Sequence, residues 1–165
     1  MKGSKGSAGG GGRVRRMEKR IAETNQLIKD ATVAKTEYRQ ALAEAQSIHA
    51  QMKESQTYVN DLSTLKTGDV IAERSFTNVF EVVNTQGKYP VVRPLSGGKT
   101  ITMNPTNARD YGGTYYAQSR ALATRYVGAA GRAVAARTRA QSALDRVDQN
   151  RVINIGNERR AKLNG

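Results

Sequence analysis

The stretch RVRRMEKRIAETNQLIKDATVAKTEYRQALAEAQSIHAQMKESQTYVNDLS, Arg13–Ser63, contains neither Pro nor Gly. An uninterrupted run of this kind predicts one long helix, placed over residues 13–65. Its apolar residues recur at helical spacing. Met17, Ala31, Tyr38, Ala45, Met52 and Val59 share one heptad position, and Ile21, Ile28 and Leu42 a second. Leu27, Ala34, Ala41 and Ile48 fill a third position, which adjoins the first. The resulting stripe is wider than a two-position coiled-coil seam, and wider than one partner helix need cover. A helix of this extent is about 75 Å long.

Downstream the pattern changes. Over residues 66–110 the apolar residues alternate and are largely β-branched. DVIAER (69–74), NVFEVVN (78–84), KYPVVR (88–93) and KTITM (99–103) read as four short strands. Thr85-Gln86-Gly87 and Ser96-Gly97-Gly98 supply turn chemistry between them, because Gly accepts positive φ. A small antiparallel meander, curled like an SH3 barrel and leaning on the helix ends, is expected. Helical periodicity returns over 111–153, now rich in Ala. Tyr126, Ala133, Ala140 and Val147 mark one seam position there, and Leu122, Ala129, Ala136 and Ala143 another. Thr106, Asn107 and Asp110 are read as caps at the start of this second helix.

The two flanking segments complete the expected organisation. Residues 1–12, MKGSKGSAGGGG, have nothing to bury and predict a disordered Gly/Ser/Lys arm. Residues 154–165 break at Gly156 and predict a frayed basic tail. The fold class expected is therefore α+β: a long antiparallel two-helix hairpin, coiled-coil-like with an Ala-rich seam, and a small β module inserted at the bend.

Charge supplies a register for that hairpin. Glu23, Asp30, Glu37 and Glu44 lie seven apart, as do Arg125, Arg132, Arg139 and Arg146. Antiparallel pairing sets 23 against 146, 30 against 139, 37 against 132 and 44 against 125, each pair of numbers adding to 169. The fold point then lies between Asn84 and Thr85, inside the β module. The same register sets Tyr38 opposite Gly131, where the missing side chain would leave room for the ring. Exposed ion pairs are worth about 0–1 kcal/mol each, so these pairs are expected to align the helices more than to stabilise them.

The 165 residues carry 27 Lys and Arg against 14 Asp and Glu, a formal net charge of +13. Aromatics are only 5 % and Trp is absent, too little for a large round core. Such a balance favours a polyanionic partner. More than half of the excess lies in residues 111–165, where ten cations, nine of them Arg, face three carboxylates. With the Arg row assigned to helix pairing, the free cations are Arg13, Arg15, Arg16, Lys19 and Arg20 near one end and, in the last third, Arg120 and Arg137 with Arg151, Arg159, Arg160 and Lys162 near the other end. The hairpin brings both groups to its open end, the candidate phosphate-binding patch. The β module offers a second mix of cations and aromatics in Tyr89, Arg93, Lys99, Arg109, Tyr111, Tyr115 and Tyr116, as single-strand binders do.

No residue set points to catalysis. Gly98-Lys99-Thr100 resembles the end of a phosphate-binding loop, but Arg93 stands where a second Gly is needed and a strand follows. His49 is the lone histidine, on the seam line of the first helix, and Cys is absent, so neither a metal site nor a cofactor is expected. The function expected is a non-enzymatic basic binding protein that associates with nucleic acid, without sequence preference, or with a nucleic-acid-containing assembly. The alternative is a protein–protein scaffold or assembly subunit, such as a viral structural or accessory protein, using the β module and the apolar helix stripe. A homo-oligomer fits either reading. The absence of Cys, of an apolar run near 20 residues and of a signal-like core in Met1–Gly12 places the chain in the cytoplasm, virion association included.

Overall fold

The computed structural model describes residues 7–164 and is α+β, with two long helices and a six-stranded antiparallel sheet. Helix α1 spans Ser7–Ser55, strand β1 Thr57–Tyr58, β2 Val70–Glu73, β3 Val79–Asn84, β4 Val91–Pro94 and β5 Ile101–Thr102. The short helix α2 (Pro105–Asp110) and strand β6 (Tyr115–Gln118) precede helix α3 (Arg120–Asn164). The chain divides into two compact units, Met1–Arg39 with Ala135–Gly165, and Gln40–Val134.

The unit Gln40–Val134 holds the sheet, in the order β1-β6-β2-β3-β4-β5. Strands β2 to β5 form the consecutive meander expected from their alternation and turns. Val70 pairs with Glu81 and Ala72 with Val79, and the β3–β4 register shifts between Val82 and Asn84. Strand β2 is buried on both faces. Val70 and Ala72 pack with Ala45, Ile48 and Met52 of α1 and with Ala123 and Ala129 of α3. Ile71 points the other way, into a cluster with Phe80, Val82, Val92, Met103 and Tyr115. A strand with helix on one side and sheet core on the other needs apolar residues at every position, and Val-Ile-Ala supplies them.

Strands β1 and β6 lie where continuous helix was expected. Helix α1 stops at Ser55 instead of running to residue 65, because Thr57-Tyr58-Val59 prefers extended backbone and finds a partner. Thr57 and Tyr58 pair with Ala117 and Tyr116, and Val59 N–H donates to the Tyr115 carbonyl at 2.9 Å. Tyr115–Gln118 in turn pairs along the whole of β2, so α3 begins at Arg120 and not at 111. Ser119 caps it, its Oγ accepting from Leu122 N–H and its carbonyl from Ala123 N–H. Thr106, Asn107 and Asp110, expected to cap this helix, lie within α2, whose N-cap is Asn104, followed by Pro105 at the first helical position.

The other unit is built from the remaining lengths of α1 and α3. Ala31 and Ala34 of α1 and Ala140 and Ala143 of α3 form a buried alanine cluster, flanked by Tyr38, Leu144 and Val147. Nearer the α1 start, Thr24 Oγ1 donates to Asn150 Oδ1 at 2.9 Å. Thr32 and Thr36 turn their hydroxyls back onto the carbonyls of Ile28 and Thr32, which keeps these β-branched polar residues compatible with the helix. Two expected irregular segments are helical. Residues 7–12 of the Gly-rich arm belong to α1, while residues 1–6 lie outside the described residues. The tail expected over 154–165 continues α3 to Asn164, passing through Gly156, where a side chain would meet nothing.

Candidate phosphate-binding surface

The unit made of Met1–Arg39 and Ala135–Gly165 holds 17 Lys and Arg against 7 Asp and Glu, a net +10 of the chain's +13. The cations among the described residues project from two helices whose buried side chains at the shared seam are small. Arg13, Arg15, Arg16, Lys19 and Arg20 lie on the first turns of α1 after the glycines, and Arg151, Arg159, Arg160 and Lys162 near the end of α3; all nine are exposed. Of the nine, Arg20 lines a groove with Met17, Ile21 and Thr24 of α1 and Asn154 and Glu158 of α3, and none of the four α3 cations lines it. Lys19 reaches Glu23 of its own helix at 4.0 Å, and Arg16 Nε donates to the Gly12 carbonyl. The other cations of this set make no ion pair among the described residues. An exposed arginine without a carboxylate keeps its full fork of donors for a phosphate.

The residues expected to pair the helices are arranged differently. Arg132 meets Glu44 at 3.1 Å instead of Glu37. Glu23 pairs with Lys19, and Asp30 accepts from Gln26 Nε2 at 2.8 Å. Glu37 forms no ion pair among the described residues, and neither do Arg125, Arg139 or Arg146. The pairs Glu44/Arg132 and Thr24/Asn150 have numbers adding to 176 and 174, not 169. Rows that repeat every seven residues look the same after sliding by seven, so charge spacing alone leaves the register open by a heptad. Tyr38 accordingly packs beside the alanine cluster and not against Gly131, where an added Cβ would meet nothing. Three arginines assigned to alignment thus meet no carboxylate among the described residues.

The aromatic and basic residues of the sheet unit divide between structure and surface. Tyr115 is core: it is buried, its hydroxyl donates to the Ala108 carbonyl at 2.8 Å, and burial with the Glu73 charge pushes its pKa up to about 12. Arg93 and Arg120 both reach Glu81, at 3.7 and 2.9 Å. Tyr116 accepts from Arg74 and packs edge-on to Tyr58. Tyr89 carries Lys88 over its ring. Arg109 and Tyr111 are exposed; Tyr111 stands edge-on to Phe80, beside a shallow groove that includes Lys99. Gly97 and Gly98, both at positive φ, form a turn leading into β5, so Gly98-Lys99-Thr100 is hairpin and not a phosphate loop.

The chain matches no protein-family model, no curated protein and no solved structure.

His49 packs edge-on against Phe76 with ring centres 4.5 Å apart and lies 6.0 Å from Tyr126. Burial lowers its pKa, and Lys53 one turn on lowers it further. It is a packing residue in an aromatic cluster. The turn that holds this cluster together was not among the features expected from the sequence. Glu73 accepts from the backbone of Ser75, Thr77 and Asn78 and from the Ser75 hydroxyl, which fixes Phe76 at φ +56. A Glu followed within five residues by Ser, Thr and Asn was the available signal, although it is a common one.

Proposed function

We propose that this chain is a non-enzymatic basic binding protein that grips nucleic acid, or a nucleic-acid-containing assembly, through phosphate contacts without sequence preference. The observation that carries the reading is the net +10 on one unit, with exposed arginines that have no carboxylate partner among the described residues. In this reading α1 and α3 return alongside each other as an antiparallel hairpin, so that Arg13–Arg20 and Arg151–Lys162 share one end. The consecutive strands β2 to β5, the short helix α2 and the return of β6 to β2 support an SH3-like roll as its head. A chain without Cys suits the reducing cytoplasm or a particle assembled there. No helix of the described residues is long and apolar enough to cross a membrane.

Fluorescence anisotropy with a labelled DNA duplex and an RNA strand across a salt series tests this. Affinity should fall steeply with salt. Changing Arg159, Arg160 and Lys162 together to Ala should flatten the log–log slope by up to about 3. Absent or salt-independent binding to both nucleic acids would refute the reading. A second reading, an assembly subunit, is favoured by the apolar side chains that α1 leaves exposed.

A further inference from the structure

The unit Gln40–Val134 carries a shallow groove of about 310 Å³ whose apolar lining includes Phe80, Pro94 and Ile101. Strand pairing sets Phe80 of β3 beside Pro94 of β4, and the Gly97-Gly98 turn brings Lys99 back to the same groove. Tyr111 lines it from the end of α2, and its backbone is held on both sides. Its N–H donates to the Asn107 carbonyl at 3.0 Å, and its own carbonyl accepts from Asn78 Nδ2 at 3.3 Å. The next residue, Gly112, lies so close to Glu73 that a Cβ would sit 2.6 Å from that side chain, which fixes the chain beyond Tyr111. The Tyr111 ring stands perpendicular to Phe80, with centres 5.8 Å apart, and is 36 % exposed where Phe80 is buried. An aromatic ring held this way offers contact area at little further cost in entropy.

The chemistry of the groove names its ligand. Lys99 is exposed and meets no carboxylate among the described residues. No carboxylate lines the groove either, so a cationic ligand has nothing to hold it. Asn78 keeps Oδ1 as an acceptor once its Nδ2 is given to Tyr111, and the Ser96 hydroxyl can donate or accept. An aromatic ring, an apolar floor, neutral hydrogen-bonding groups and one cation suit a planar base that carries a phosphate. A shallow groove of this size cannot bury most of a free nucleotide, whereas a strand that continues past it also draws on the chain's +13. Pairing and stacking hide the faces of bases in a duplex, so the strand is single. Proline-rich peptides, which also use aromatic grooves, need several aromatic ridges, and Tyr111 is the one exposed ring lining this groove.

We propose that Tyr111, Lys99 and the groove they line form a base-stacking site for single-stranded nucleic acid, in which an unpaired base stacks on Tyr111 and its phosphate meets Lys99. This rests on the nucleic-acid reading and adds to it a contact that a duplex cannot make.

The test is fluorescence anisotropy of the full chain with a labelled oligothymidylate and, separately, a labelled duplex. Tyr111→Ala should weaken binding of the strand about tenfold, the contribution of one stacked base, and leave duplex affinity unchanged. Tyr111→Phe keeps the ring and should bind as wild type does. Lys99→Ala should reduce the log–log salt slope for the strand by about 0.7. Because Tyr111 packs on buried Phe80, the contact is also read directly in the wild-type chain: a strand carrying 5-iodouracil should photo-cross-link at Tyr111. A cross-link at Tyr58 instead, the other exposed tyrosine among the described residues, overturns the proposal. So does strand affinity indifferent to Tyr111→Ala, or displacement of the strand by a mononucleotide or a proline-rich peptide as effectively as by unlabelled strand. If the duplex binds and the strand ignores Tyr111, this site falls and the phosphate reading stands. If neither nucleic acid binds, the phosphate reading falls and takes this site with it.

Discussion

Glu73 organises the turn between β2 and β3, and removing its carboxylate should loosen the aromatic cluster beneath it. Its oxygens accept from Ser75 N–H at 3.2 Å, Thr77 N–H at 2.6 Å and Asn78 N–H at 3.1 Å. The turn carries Phe76 in the left-handed region, at φ +56, a conformation that costs a bulky residue about 1 kcal/mol or more. The strain is tolerated because Phe76 is buried between His49 and Tyr126. Hydrogen bonds to a charged acceptor are worth roughly 1.5–3 kcal/mol each when buried, but water can replace most of these in an exposed turn. Glu73→Ala should therefore cost about 2 kcal/mol, or about 4–8 °C of melting temperature for a chain of this size. Tyrosine fluorescence during urea unfolding reads it, since every Tyr but Tyr38 lies in the sheet unit. Burial acts to raise the Glu73 pKa, but the hydrogen bonds from Ser75, Asn78 and Thr77 outweigh it and hold the group below its usual value of 4.5. Its stabilising contribution is thus present above pH 4.5 and lost as pH falls through the lower folded value. The gap between wild type and Glu73→Gln should shrink accordingly between pH 7 and pH 2. A Glu73→Ala protein within about 0.5 kcal/mol of wild type, or a gap that does not move with pH, would refute the role assigned to the carboxylate.

Two glycines should respond oppositely to alanine. Gly112 has φ +132, and a Cβ there would lie 2.6 Å from Glu73 Cβ, so Gly112→Ala should lose about 2 kcal/mol or more by urea unfolding. A Cβ on Gly131 meets nothing inside α3, so Gly131→Ala should gain about 0.5–1 kcal/mol, and a loss there would mean that the helix needs the gap. His49, its pKa lowered by burial and then by Lys53, favours the fold in its neutral form. Stability should therefore drop as pH falls below 6.5, and thermal melts of His49→Phe should lack that drop.

The long helices were legible because amphipathic period and the absence of breakers act locally, and so were β2 to β5, whose alternation and glycine turns are local too. Strands β1 and β6 were not. Tyr115–Gln118 is extended because its backbone completes β2, some 45 residues earlier in the chain, and Tyr-Tyr-Ala-Gln carries no alternation of its own. Gly156 reads as a break, yet glycine only weakens a helix, and the flanking residues hold this one. The candidate site was legible as composition but not as availability. Whether an arginine is free depends on register, and a seven-residue row repeats itself under a seven-residue slip.

Register is set in the seam, not at its edges. A few exposed ion pairs at about 0–1 kcal/mol each compete poorly with the close approach that the Ala31, Ala34, Ala140 and Ala143 cluster permits, and with the part-buried Thr24–Asn150 hydrogen bond. Once small side chains and one polar pair choose the alignment, the charged rows fall where they fall. Glu44 finds Arg132, while Arg139 and Arg146 find no carboxylate among the described residues. The positive charge of these two arginines is left facing outward.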